Sequence, residues 1–156
     1  MTEQAEPATE TAVAVELAQI DVNAPLVGII MGSKSDMDVM DGAASVLRGA
    51  GVHHEVRVMS AHREPGLVAE YCANARLRGL RVIIAGAGLS AALPGVAAAH
   101  TDLPVIGVPL SSRLSAMGGL DAILSVLQMP PGVPVAGVGL DNAKNAGHLA
   151  LRILAA

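Results

Sequence analysis

From Pro25 onward the sequence repeats one pattern: a short β-branched run, a turn containing Gly or Ser, then a stretch that suits a helix. The runs are Leu26–Met31, Glu55–Met59, Val82–Ala85, Val105–Val108 and Val133–Val138. The helical stretches between and after them are Met37–Arg48, Pro65–Arg78, Ser90–Ala99, Leu120–Leu127 and Ala143–Leu154, with Gly51, Gly79 and Gly132 as stop signals. Consecutive strand–helix units predict an α/β fold, a parallel sheet covered by helices on both faces, because each crossover lays its helix over the sheet. Ligands of such sheets bind beyond the carboxyl ends of the strands. Any chemistry is therefore expected in the strand-to-helix turns.

Composition sets the terms of the core. With 156 residues and 52% of them hydrophobic, one domain is expected. There is no Trp and no Phe, and Tyr71 is the single aromatic, so small aliphatic side chains must fill the interior. Two uncharged stretches, Val82 to Ala99 and Ala122 to Leu140, approach the length of a membrane span. Gly86, Gly88 and Pro94 break the first and Pro130, Pro131 and Pro134 the second, so both read as buried strands joined to apolar helices. A formal net charge of −4 without a Lys/Arg cluster argues against nucleic acid and against anionic membranes. Cys72 is the sole cysteine, and no basic leader precedes an apolar run, which predicts a cytoplasmic protein. Only 15% of residues are charged, and so apolar a surface predicts a homo-oligomer.

Residues 1–24 are acidic and rich in Ala, Thr and Glu, and are read as an N-terminal extension before a single α/β catalytic domain at 25–156. Val13, Leu17 and Ile20 share one helical face, so the extension is either a short amphipathic helix, docked on this or a neighbouring subunit, or a disordered leader.

Three turns carry the polar groups. The first, Met31-Gly32-Ser33-Lys34-Ser35-Asp36, leads from a strand into a helix. Its glycine allows a tight bend and its free N–H groups suit an anion. Either it is a phosphate cradle, or Ser33 or Ser35 is a helix cap and Asp36 a partner of the helix dipole. The second, Ser60-Ala61-His62-Arg63-Glu64-Pro65, sets an imidazole beside a guanidinium. Arg63 can grip a phosphate with two parallel hydrogen bonds, Ser60 can donate to it, and His62 is a candidate for proton transfer. His53, His54, His100 and His148 lack such a setting and are read as structural or solvated. The third turn, Ala85-Gly86-Ala87-Gly88-Leu89-Ser90-Ala91-Ala92-Leu93-Pro94-Gly95, has almost no side-chain function. It either admits a flat ligand against the backbone or simply connects strand to helix tightly.

Together Gly32-Ser33-x-Ser35-Asp36, Ser60-Ala61-His62-Arg63 and Ala85-Gly86-Ala87-Gly88 resemble the N5-carboxyaminoimidazole ribonucleotide mutase family of purine biosynthesis. The likeness continues through Leu93-Pro94-Gly95, Leu103 to Pro109, Gly119-Leu120-Asp121, Gln128-Met129-Pro130 and Asn145-Ala146-Gly147, covering nearly all of Pro25 to Leu154. The resemblance implies a three-layer flavodoxin-like domain in a homo-octamer, with no cofactor and no metal. It implies that Ser33, Ser60 and Arg63 meet the ribonucleotide phosphate, that Asp36 meets the ribose, and that His62 carries the proton. Ser35, Gly86, Ala87, Gly88 and Ser90 complete the expected substrate-binding set. The implied reaction releases carbon dioxide from the N-carboxylated substrate and recaptures it at the ring carbon. Ala92 stands where the family usually has histidine, Met37 where it has tryptophan, and the sequence ends at Ala156 where relatives continue in a long helix.

Within the family the rival is direct carboxylation of aminoimidazole ribonucleotide by carbon dioxide; Arg63 favours the mutase, and Ser90-Ala91-Ala92-Leu93 leans partly towards the carboxylase. A related carboxylase acting on a pyridinium dinucleotide is more distant, since Cys72 falls mid-helix. From another class, a non-catalytic nucleotide-binding module on the same fold lacks the aromatic rings a flavin needs and the acidic cluster a phosphoacceptor needs.

Overall fold

The computed structural model of the protein describes residues 23–156. The expectation of a helix around Val13, Leu17 and Ile20 falls outside the described residues. Five strands form one sheet: β1 Val27–Met31, β2 His54–Val58, β3 Val82–Gly88, β4 Val105–Leu110 and β5 Ala136–Gly137. Their order is β2-β1-β3-β4-β5 and every pairing is parallel. Five helices connect or follow them: α1 Met37–Gly49, α2 Pro65–Ala73, α3 Leu93–Ala99, α4 Leu120–Leu127 and α5 Ala143–Ala155. The fold is a three-layer, flavodoxin-like α/β domain.

Strand alternation assigns the layers. Val27, Ile29 and Met31 of β1 point to one face, where Met40, Ala43, Ala44 and Leu47 of α1 and Ala143, Ala146 and Ala150 of α5 cover them. Ile30 points the other way, with Ile83 and Ala85, towards α2, α3 and α4. Without large aromatics the layers close by bringing backbones together. A Cβ on Gly147 of α5 would stand 3.0 Å from the Ala43 carbonyl oxygen and 2.9 Å from Val46 Cβ of α1. At Gly107 of β4 an added Cβ would stand 2.5 Å from Val126 and 2.8 Å from Val135, so only hydrogen fits.

The two edge strands are less covered than the three central ones, and at β5 this departs from the buried strand expected. β2 is half-exposed along its length, and β5 has shrunk to two exposed residues from the expected Val133–Val138. Pro134 lacks the N–H a ladder needs, which limits how early pairing can begin. The third helix starts at Leu93 rather than Ser90, with Pro94 in its first turn. The second ends at Ala73, and residues 74–79 turn back to the sheet through Gly79, whose φ is 95°.

Tyr71 ties β2 to α2. Its hydroxyl donates to Glu55 at 2.8 Å, Arg78 pairs with the same carboxylate, and the Arg78 guanidinium lies 5.1 Å from the ring centre. Burial alone works to raise the Glu55 carboxyl pKa, but the hydrogen bonds from Arg78 and Tyr71 outweigh it and hold the value below the ordinary range. Burial together with that carboxylate pushes the Tyr71 phenol upward. Gly28 makes room for the arrangement, since a Cβ there would fall 2.3 Å from the Tyr71 oxygen. Cys72 is fully buried and its thiol is pushed up to about 11 by desolvation, so it is an inert core residue.

Among the described residues no helix is long and apolar enough to cross a membrane. Large apolar side chains remain exposed on α4 (Leu120, Leu124 and Leu127) and in the segment before it (Leu114 and Met117).

Candidate active site

Parallel register brings the strand ends level: Met31 pairs with Val58 and with Gly86, and Gly88 pairs with Leu110. The turns that follow β1, β2, β3 and β4 therefore emerge along one edge and enclose a cleft of about 540 Å³.

The turn after β1 contributes Gly32, Ser33, Ser35 and Asp36 to the lining. Lys34–Asp36 form one 3-10 turn, and Ser33 caps it by accepting from the Ser35 N–H at 3.3 Å and the Ser35 hydroxyl at 2.9 Å. The capping alternative thus describes Ser33 correctly, and its own hydroxyl proton remains uncommitted to that turn. Asp36 precedes α1 but makes no side-chain capping bond. Its carboxylate lines the cleft instead, half-buried, and desolvation raises its pKa against the lowering effect of a backbone hydrogen bond with Ser33.

The turn after β2 is held by Ser60, a polar residue only 8% exposed. Ser60 Oγ accepts from the Arg63 N–H at 3.3 Å and the Ser60 carbonyl accepts from the Glu64 N–H at 2.8 Å. The Glu64 carboxylate in turn accepts from the Ser60 N–H at 3.5 Å. This reciprocal knot, followed by Pro65 at the start of α2, fixes the bend and leaves the exposed side chains of His62 and Arg63 at the cleft.

The turn after β3 supplies Ala87, Gly88, Leu89, Ser90, Ala92 and Leu93. Leu89 sits at φ 56°, a left-handed conformation costly for a branched side chain. Strain of this kind collects where the surrounding structure over-determines the backbone. Gly86 lies inside β3, buried, with Met40 filling the space a Cβ would take, and it is not part of the lining. Met37 likewise stays outside the lining, whereas Ala92 faces the cleft.

Sequence reasoning missed the turn after β4. Leu110, Ser111, Ser112 and Leu114 form the remaining wall. The signal was present, since Ser111, Ser112 and Arg113 follow a strand run, but no imidazole accompanied them to single the segment out. Of the other histidines, the Nδ1 of His54 contacts the Val52 carbonyl at 3.0 Å and that of His100 the Val96 carbonyl at 2.9 Å, both local backbone bonds. Among the described residues no group of three His, Cys, Asp or Glu side chains is placed to hold a metal ion.

A parallel sheet in this order, with hydroxyls, one guanidinium, one imidazole and one half-buried carboxylate gathered at its carboxyl edge, defines an α/β protein built to hold a small anionic ligand. The chain belongs to the AIR carboxylase family, whose description matches residues 26–156. It is 58% identical over 135 residues to the N5-carboxyaminoimidazole ribonucleotide mutase of Pyrococcus abyssi, covering 86% of this chain and 76% of that protein. The mutase of the same name from Aquifex aeolicus is 58% identical over 130 residues, 83% of this chain and 77% of that one. Among solved structures, that of Treponema denticola PurE matches with a TM-score of 0.73 at 35% identity, covering 84% of this chain and 80% of that chain.

Proposed function

We propose that this protein is an N5-carboxyaminoimidazole ribonucleotide mutase, an isomerase of purine biosynthesis that moves a carboxyl group from the exocyclic nitrogen of its substrate to the ring carbon. The observation that carries the reading is the match, over most of the chain, to relatives bearing that name. The four-turn cleft supports it with groups suited to each part of such a substrate.

In our reading Ser33, Ser60 and Arg63 hold the phosphate, which suits a guanidinium fork and two hydroxyls. Asp36 accepts from the ribose hydroxyls, Ser35 supports the Ser33 hydroxyl, and Ala87, Gly88 and Ser90 border the ring. The bond between nitrogen and carboxyl breaks first, its electron pair returning to nitrogen as carbon dioxide departs, and the nitrogen takes a proton from His62. The electron-rich ring carbon then attacks the trapped carbon dioxide, and the proton on that carbon leaves to His62. Atoms and charge balance, and His62 ends as it began. Proton transfer of this kind is worth roughly 10²–10⁴ in rate, and retention of the gas beside the ring adds a proximity term.

The same reading includes a homo-octamer in the cytoplasm, with residues 25–156 as the catalytic unit and 1–24 as an extension. The exposed Leu120, Leu124 and Leu127, together with the short open edges of the sheet, support self-association. Direct carboxylation by carbon dioxide from solution is the less favoured chemistry, because the relatives at 58% identity, matched over 72–77% of their own length, are named as mutases. The deciding assay supplies the N-carboxylated substrate together with isotopically labelled bicarbonate. A mutase passes the unlabelled carboxyl group into product with little dilution; a product carrying mainly solution label, formed equally fast from aminoimidazole ribonucleotide, would assign the protein to the carboxylases.

A further inference from the structure

Ser111 lies at the far side of the cleft from Ser60 and Arg63, and it is fastened to a residue that plays no part in the reading above. Its N–H donates to Asp141 Oδ1 at 2.8 Å and its hydroxyl donates to Asp141 Oδ2. Asp141 follows β5, thirty positions along the chain, and is itself pinned. Its N–H donates to the Pro109 carbonyl at 2.9 Å, its backbone is left-handed at φ 56°, and the next residue, Asn142, caps α5 by accepting from the Asn145 N–H at 3.1 Å. Aspartate is one of the few side chains that tolerate that conformation. The result is a carboxylate clamped to the end of β4 and gripping the main chain and side chain of a cleft residue.

The geometry points to Asp141 as a positioning residue that fixes Ser111 as a hydrogen-bond acceptor for the ring-bearing end of the substrate. Because the hydroxyl proton of Ser111 is committed to Asp141, the remaining lone pair of Oγ is the polar group it can offer the cleft. An acceptor there suits an N–H donor such as an exocyclic amine. Position along the sheet says which end of the ligand arrives. From β2 to β4 is three strand spacings, roughly 14 Å at about 4.8 Å each, a distance an extended ribonucleotide bridges with a hydrogen bond at each end. With the phosphate held by the turns of β1 and β2, the ring end reaches β3 and β4. This inference rests on the ribonucleotide reading. Asp141 acts through Ser111, since both its oxygens already accept and a bare carboxylate beside the substrate's own carboxyl group would repel it.

Asp141→Gly is the informative variant, because glycine adopts the left-handed backbone freely and only the carboxylate is lost. In the full-length protein we expect the melting temperature to hold, KM for the N-carboxylated substrate to rise roughly tenfold with a smaller change in kcat, and competitive inhibition by ribose 5-phosphate to stay unchanged. Ser111→Ala should match it, the double variant should be no worse than either single, and Asp141→Asn, which keeps the acceptor for the Ser111 N–H, should recover part of the loss. Wild-type KM in Asp141→Gly, additive effects in the double variant, or an equal loss of ribose 5-phosphate inhibition would each overturn the assignment while leaving the mutase reading intact. Wild-type protein that turned over no ribonucleotide would overturn the mutase reading and this assignment with it.

Discussion

The turns after β1 and β2 and the turn after β3 face the same cleft but offer it different things. The first two present side chains: Ser33, Ser35 and Asp36 from one, Ser60, His62 and Arg63 from the other, each turn knotted by its own serine. The third presents mainly backbone, with Gly88 and the left-handed Leu89 holding a shape rather than a charge. Recognition by side chains can be removed one group at a time. Recognition by main chain is lost only when the shape is changed, and such a change is felt in packing as well. A ribonucleotide needs both, a charged grip on its phosphate and a close, uncharged surface for its flat ring.

The largest effect should come from the side-chain turns. His62→Asn is expected to lower turnover by roughly 10²–10⁴ while ribonucleotide affinity, measured by calorimetry, stays within a few-fold, because the amide keeps the shape without carrying a proton. A variant retaining more than about a tenth of the rate would remove His62 from the chemistry. Next, Arg63→Ala should weaken binding by about 1.5–3 kcal/mol, the range for a hydrogen bond to a charged group, and Arg63→Lys should restore only part of it. Equal affinity for the alanine variant would place the phosphate elsewhere.

The main-chain turn should respond differently. A Cβ on Gly88 would lie 3.0 Å from the Leu110 carbonyl oxygen, a backbone atom with little room to move. Gly88→Ala should therefore lower stability in denaturant titration by about 1–3 kcal/mol and raise KM together with it, whereas His62→Asn leaves stability unchanged. If Gly88→Ala lost affinity with full stability, the distinction between the two kinds of turn would collapse. The smallest effect is pH-dependent. Burial raises the Asp36 carboxyl above its ordinary value of 3.8, so the folded state holds that proton more tightly than the unfolded chain. Stability should consequently fall slightly as pH rises from that ordinary value through the raised one, and Asp36→Asn should remove this slope in melting curves taken across the acid range.

Much of this molecule is legible along the chain. The alternation of β-branched runs with helical stretches announced a parallel, doubly covered sheet, since each crossover lays its helix over a face of the sheet. The polar turns were equally plain, because Ser33, Asp36, Ser60, His62 and Arg63 interrupt an otherwise apolar sequence directly after strands. What could not be read locally depended on partners distant in sequence. Pro134 limits how early β5 can start, but nothing local signals that it would end at Gly137, and nothing near Gly86 signals that Met40 would fill its space and leave it out of the cleft.

The sequence by itself thus determined the layer architecture and the residue types available for chemistry, because periodicity and turn composition act over a few neighbouring residues. Tertiary structure alone decided that four turns end level at one edge, that Ser111 and Ser112 complete the wall, and that Asp141 reaches back thirty positions to hold Ser111. Strand register and left-handed backbone at Leu89 and Asp141 are properties of the assembled sheet, set by which strand lies beside which.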